Sequence, residues 1–296
     1  MSGGGSGGYS RGYSKESISE ERIESEIETS TINTERVQYE SEVNDKLKEL
    51  LSSYNEKDTE LVNDRIQDIT DIMSEYLESS IGIQRAGSWS KHTYVDGLSD
   101  VDCLFILNSA KFSVESPQQL LDELKGVLLE RLGDRVSVER GNLSLKISYE
   151  DGPELQILPA LRNDKGVRIP SGDGDGWSGI INSERFANRL TDINRQFNGN
   201  LIPVIKLAKG AMNEAVINPR VKGYHTEALA VEIFQGYNGD KTKKAMLEYF
   251  FERTNDLIKN PIEEVSGQSL YVDDYLGSTN SPERQEIAMK LKGNHR

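Results

Sequence analysis

Apolar residues recur at helical spacing from residue 40 onward. Val43, Leu47, Leu50 and Leu51 form one set and Leu61, Ile66, Ile69, Ile72 and Leu77 a second, which predicts two amphipathic helices. Ahead of them, residues 15–35 are acidic, with Ile18, Ile23 and Ile27 as apolar points, and read as a weak helix with a solvated face. The period then changes. Residues 82–86 read as a short strand, and residues 100–107 alternate acid with apolar side chain before ending in an apolar run. A helix over 117–132 follows, carrying Leu120, Leu121, Leu124, Val127, Leu128 and Leu132. Strand-like runs at 135–139, 143–149 and 154–161 come next, parted by Gly141-Asn142 and Asp151-Gly152-Pro153 as hairpin-type breaks. The stretch from Asn163 to Gly179 is polar and glycine-rich and reads as a long loop. Beyond Ser183 the helical period returns at 183–196, 201–215, 223–236, 242–259 and 282–292. Strands with a helix first and a run of helices after them imply an α+β architecture. The expected organisation is a flexible Gly/Ser-rich and acidic arm at 1–35, a mixed-sheet lobe at 36–182 and a helical lobe at 183–296. A cleft is expected between the two lobes.

Composition narrows the picture. Residues 1–14 are dominated by Gly and Ser and cannot bury enough apolar surface to fold alone. Forty-nine acids against 35 bases give a net charge of −14, so the chain has no global basic footprint for duplex nucleic acid. Nucleotides are not excluded, because a metal ion and a few local cations set the field inside a cleft. A single cysteine, Cys103, precludes an intramolecular disulfide and falls in an apolar strand as a small core residue. No apolar run reaches membrane-spanning length and no signal-type segment opens the chain, so the expected setting is soluble, reducing and cytoplasmic.

The chemistry concentrates in one stretch. Gly87-Ser88 forms a small turn, and Asp100 and Asp102 follow on one face of a strand whose other face carries Val101 and Cys103. Two close carboxylates repel unless a cation sits between them, and hard oxygen ligands on a rigid strand suit Mg²⁺. The turn offers backbone N–H groups and a hydroxyl to a phosphate, and Lys91 adds charge. Together these features read as a site for a metal-bound nucleoside triphosphate.

At this point the chain resembles the polymerase-β-like nucleotidyltransferases, in the branch of the oligoadenylate synthases, cyclic GMP-AMP synthase and the bacterial CD-NTases. The resemblance rests on Gly-Ser-x-x-Lys-x-Thr at 87–93, Ser-Asp-Val-Asp at 99–102 and Leu-Pro-Ala at 158–160. Ile-Pro-Val-Ile-Lys-Leu-Ala-Lys at 202–209 and Gly-Tyr-His-Thr-Glu at 223–227 complete it, all in family order over residues 40–290. It implies that Asp100 and Asp102 hold two Mg²⁺ or Mn²⁺ ions, that Gly87 and Ser88 meet the donor phosphates, and that Lys206, with Lys209 beside it, meets the triphosphate. Tyr224 is expected to stack on the donor base, whereas His225 and Glu227 read as structural hydrogen-bonding groups. One position departs from the pattern. The third acid of the family, two residues before the Leu of Leu-Pro-Ala, is Gln156, which brings no negative charge. Glu154 faces the same way, roughly 7 Å along the strand.

Three functions follow as expectations. The first is a bilobed, template-independent nucleotidyltransferase that joins ATP or other NTPs into a cyclic or short linear second messenger for antiphage defence, releasing pyrophosphate. Its downstream effector is a protein reached through the product or directly, with no membrane involved. The second is terminal-transferase-like extension of linear oligonucleotides from NTPs or dNTPs, with a single-stranded product. The third, motivated by Gln156, is an inactive form that binds nucleotide as a sensor.

Overall fold

A computed structural model of the chain describes residues 20–55, 59–78, 82–107, 112–113, 116–152, 154–172, 176–215 and 218–293. The expected Gly/Ser-rich segment at 1–14 lies outside them. The chain divides into two compact units, Met1–Asp45 and Lys46–Arg296. The described part of the first is helical throughout and belongs to α1 (Glu20–Ser53). No glycine or proline interrupts that segment, and i,i+4 pairs such as Arg36–Glu40 and Gln38–Glu42 support it where apolar periodicity is lacking. The helix thus starts far earlier than the apolar pattern alone suggested.

The second unit begins on the last turns of α1. There follow α2 (Thr59–Tyr76), β1 (Gly82–Arg85), the short α3 (Gly87–Ser90), β2 (Val101–Leu107) and α4 (Pro117–Leu132). The strands β3 (Val136–Arg140), β4 (Leu145–Tyr149), β5 (Leu155–Asn163) and β6 (Gly166–Arg168) complete a six-stranded sheet. Its order is β1-β2-β5-β4-β3, with β6 paired to the far end of β5. Only β2 and β5 run parallel; the other pairings are antiparallel, so the sheet is mixed. β6 lies inside the stretch expected as an uninterrupted loop. A three-residue strand is too short to carry a period of its own, and it forms because Leu161, Arg162 and Asn163 offer it an edge.

One face of the sheet packs under α2 and α4. Val62, Ile69 and Met73 from α2 and Leu120, Leu121, Leu124 and Leu128 from α4 meet Val101, Cys103, Phe105, Ile147 and Ile157, all buried. Period-two alternation therefore sends Asp102, Leu104 and Gln156 to the opposite face.

The helical part consists of α5 (Ser183–Gln196), α6 (Leu201–Glu214), α7 (Gly223–Phe234), α8 (Lys243–Leu257) and α9 (Pro282–Gly293). Its core joins Leu190, Val204, Ile205, Leu229, Phe234, Met246 and Phe250. Arg284, with no exposed surface, ties that core together by donating to the carbonyls of Ile258 and Asn260 and pairing with the buried Asp273 carboxylate. His225 lies against Asp273, 3.3 Å from Nε2 to Oδ2, and burial lowers its pKa to about 4, so it stays neutral at physiological pH.

Candidate active site

The site is built where β1 turns into β2. Ala86 still pairs with β2, its N–H donating to the Asp102 carbonyl at 2.9 Å, and Gly87 then breaks away with φ +54°. Glycine is required here for two separate reasons. The positive φ suits only a residue without a Cβ, and a Cβ would run into the Asp102 carboxylate, 2.6 Å from its Cγ. The turn and the acid are therefore packed backbone against carboxylate, and Ser88 sits beside them at the mouth of a cavity of about 450 Å³.

Asp100 and Asp102 both line that cavity. Burial, then the neighbouring Asp100 charge, raises the Asp102 pKa from 3.8 to about 6, although Lys91 and Lys209 pull the other way. Asp100 is also raised, first by burial; Lys146 opposes the shift and Glu154 adds to it. Gln156 lines the cavity as well and is the Cα partner of Asp102 across the parallel β2–β5 pair. Its amide donates to Ser144 Oγ at 2.7 Å.

A buried ion-pair cluster drawn from three elements lies near Asp102. Glu227 on α7 is 1% exposed; it pairs with Lys91 after α3 at 2.8 Å and with Lys209 on α6 at 2.7 Å. Thr93 Oγ1 donates to the same carboxylate, and Lys209 Nζ also donates to the Thr93 carbonyl at 2.9 Å. Burial alone would push the Glu227 carboxyl up, but Lys91 and Lys209 outweigh it and hold the pKa down to about 2. With Asp102 nearby, two ammonium groups face two carboxylates in one buried cluster.

Lys206 and Lys209 do not share this environment. Lys206 points to the end of α1, donating to Asn55 Oδ1, and is not among the residues lining the cavity, whereas Lys209 is.

Tyr224 lines the cavity edge-on to Phe186, with ring centroids 4.8 Å apart, and Lys91 Nζ stands 4.8 Å from its ring centre. Its hydroxyl donates to Glu264 at 2.6 Å, fixing the ring. Facing it is an apolar wall of Leu104, Leu158, Val167, Ile169 and Ile181, with Ser266 and Gln268 at the edge. The cavity lining thus combines charged side chains with aromatic and aliphatic ones.

Several of these groups were not legible beforehand. The apolar wall depends on β6, which the sequence did not reveal. Lys146 was missed although its alternation with Leu145 and Ile147 places it on the site face of β4. Glu227 was read as a structural group, and its partners prove to be the two lysines expected to meet phosphate.

No family model and no curated protein matches the chain. Solved structures do resemble it. CdnE from Elizabethkingia meningoseptica, a cyclic dinucleotide synthase solved with GTP and Apcpp, aligns at a TM-score of 0.59 and 15% identity, covering 78% of this chain and 91% of that one. CdnC from E. coli MS115-1, solved with ATP, aligns at 0.58 and 15%, covering 77% and 82%. DncV from Vibrio cholerae, a cyclic AMP-GMP synthase solved with a linear intermediate, aligns at 0.55 and 14%, covering 72% and 61%. The chain has the mixed α+β fold that these three proteins share.

Proposed function

We propose that this chain is a divalent-metal-dependent, template-independent nucleotidyltransferase that joins nucleoside triphosphates into a cyclic or short linear oligonucleotide signal. The observation that carries the reading is the packing of the Gly87 turn onto the Asp102 carboxylate at one end of a cavity closed by Lys91, Lys209 and Tyr224. The likeness to a cyclic dinucleotide synthase solved with GTP and to a CdnC solved with ATP supports it. An antiphage role and a protein effector that answers the product belong to the same proposal. Among the described residues no helix is long and apolar enough to cross a membrane.

The residues fit a hard divalent cation at Asp100 and Asp102. Burial raises both carboxyl pKa values, with Asp100 adding to the shift of Asp102 and Glu154 to that of Asp100, and a cation held by the pair would offset that penalty. Mg²⁺ or Mn²⁺ there would lower the pKa of an attacking 2′- or 3′-hydroxyl and shield charge on the leaving pyrophosphate. The protein's own contribution is positioning. Gly87 and Ser88 bring backbone and hydroxyl within reach of the donor phosphates. The Lys91–Glu227–Lys209 cluster gives that end a fixed positive field, and Tyr224 with the Val167–Ile169–Ile181 wall sandwiches the base without reading its edge. The hydroxyl oxygen attacks the α-phosphorus as its proton passes to solvent, the α–β anhydride bond breaks, and pyrophosphate departs.

A second reading is favoured by one observation, the amide at position 156. A chain that binds nucleotide without turnover would serve as a sensor. The deciding experiment incubates the protein with labelled NTPs and dNTPs in Mg²⁺ or Mn²⁺, beside Asp102→Asn. Phosphatase-resistant product or a short ribonucleotide ladder, lost in the variant, supports the proposal. A deoxynucleotide ladder shifts it to terminal transfer. Nucleotide-dependent thermal stabilisation with no product establishes the sensor. Neither product nor stabilisation overturns both readings.

A further inference from the structure

Asp102 on β2 is the Cα partner of Gln156 on β5, and Gln156 is the Cα partner of Lys146 on β4. Each alternates with buried neighbours, so all three side chains leave the sheet on the site face. One row across three strands thus reads carboxylate, amide, ammonium. Glu154 comes within hydrogen-bonding reach of Asp100, but both of its carboxylate oxygens have other partners. Its Oε1 accepts from Ser148 Oγ at 2.9 Å, and its Oε2 is ion-paired with Lys146 Nζ. Among the described residues, no three His, Cys, Asp or Glu side chains form a group that could hold a metal ion.

We propose that the site takes one divalent cation rather than two, and that Lys146 is the fixed positive charge standing in for the second. This rests on the nucleotidyltransferase reading above and deepens it. Lys146 is held by Glu154 and acts electrostatically on Asp100, so the Lys146 side of Asp100 already has a counter-charge. A second divalent ion on that side would meet an ammonium group and, at position 156, an amide dipole in place of a carboxylate. Repulsion between like charges then works against it.

The test counts ions directly. Crystals of the protein grown with Mn²⁺ and a non-hydrolysable ATP analogue are measured for anomalous scattering at the site. One manganese peak on Asp100 and Asp102 is expected in the wild type, and two in the double variant Lys146→Met/Gln156→Glu. In solution, Gln156→Glu alone, which keeps Lys146, should bind its second Mn²⁺ at least tenfold more weakly than the double variant. Two peaks in the wild type overturn the proposal and leave the nucleotidyltransferase reading standing. Equal second-ion affinity in the single and double variants removes the role of Lys146. Absence of both nucleotide and manganese overturns the proposal together with the reading beneath it. The wild-type count decides the matter even if a variant fails to fold.

Discussion

Replacing Glu227 by alanine tests the buried cluster that joins the turn after β1 to α6 and α7. The carboxylate is 1% exposed and takes bonds from Lys209, Lys91 and Thr93, while the two lysine side chains are themselves only 6% and 11% exposed. Its loss leaves two poorly solvated ammonium groups with Asp102 as their remaining counter-charge. Removing one partner of a buried ion pair costs roughly 3–5 kcal/mol. A second route gives a similar figure. The pairing holds the carboxyl at about 2 instead of 4.5, which corresponds to about 3 kcal/mol of folding stability at neutral pH. At roughly 2–4 °C per kcal/mol for a chain of this size, Glu227→Ala should melt roughly 6–20 °C below the wild type. The sign with pH follows. The folded pKa lies below the unfolded one, so the contribution is complete above 4.5 and is lost as pH falls toward 2. Urea titrations of both proteins at pH 7 and pH 3 measure it: the stability gap should be wide at pH 7 and much narrower at pH 3. A gap under about 1 kcal/mol at pH 7, or one of equal size at both pH values, refutes the reasoning.

Three other perturbations separate the remaining roles. Gly87→Ala forces a Cβ against Asp102 at a positive φ and should cut product formation at least a hundredfold while costing about 1–3 kcal/mol in stability, read by initial rates and chemical denaturation. Asp102→Asn should abolish synthesis yet raise stability by about 2–3 kcal/mol at pH 8. The wild-type carboxyl, shifted up to about 6, is a desolvated anion there, and the gain should fade as pH drops from 6 toward 4. Lys209→Met should lower product formation far more than Lys206→Met, because Lys209 lines the cavity and Lys206 is bound to Asn55; equal losses would return Lys206 to the phosphate site.

Much of the fold was written locally. The helices from α4 through α9 and the strands β2 to β5 follow from period and breakers, because a buried stripe or face leaves its spacing in the chain. The Gly-Ser turn and the Asp100–Asp102 alternation were legible for the same reason: each spans a few residues. Where local signals were weak, the reading faltered. The part of α1 before residue 40 has no sustained apolar stripe and β6 is three residues long, so neither carries a period.

The sequence by itself thus determined most of the elements, the paired aspartates and the amide at 156. Only the tertiary structure decided what those groups face. The parallel register that sets Gln156 beside Asp102, and the antiparallel one that sets Lys146 beside Gln156, join strands distant in the chain. Likewise Glu227 finds Lys91 across 136 residues because α7 packs against the turn after β1. Register and packing are chosen by burial of the whole core, and a one-residue slip in β5 or β4 would turn every one of these side chains to the other face.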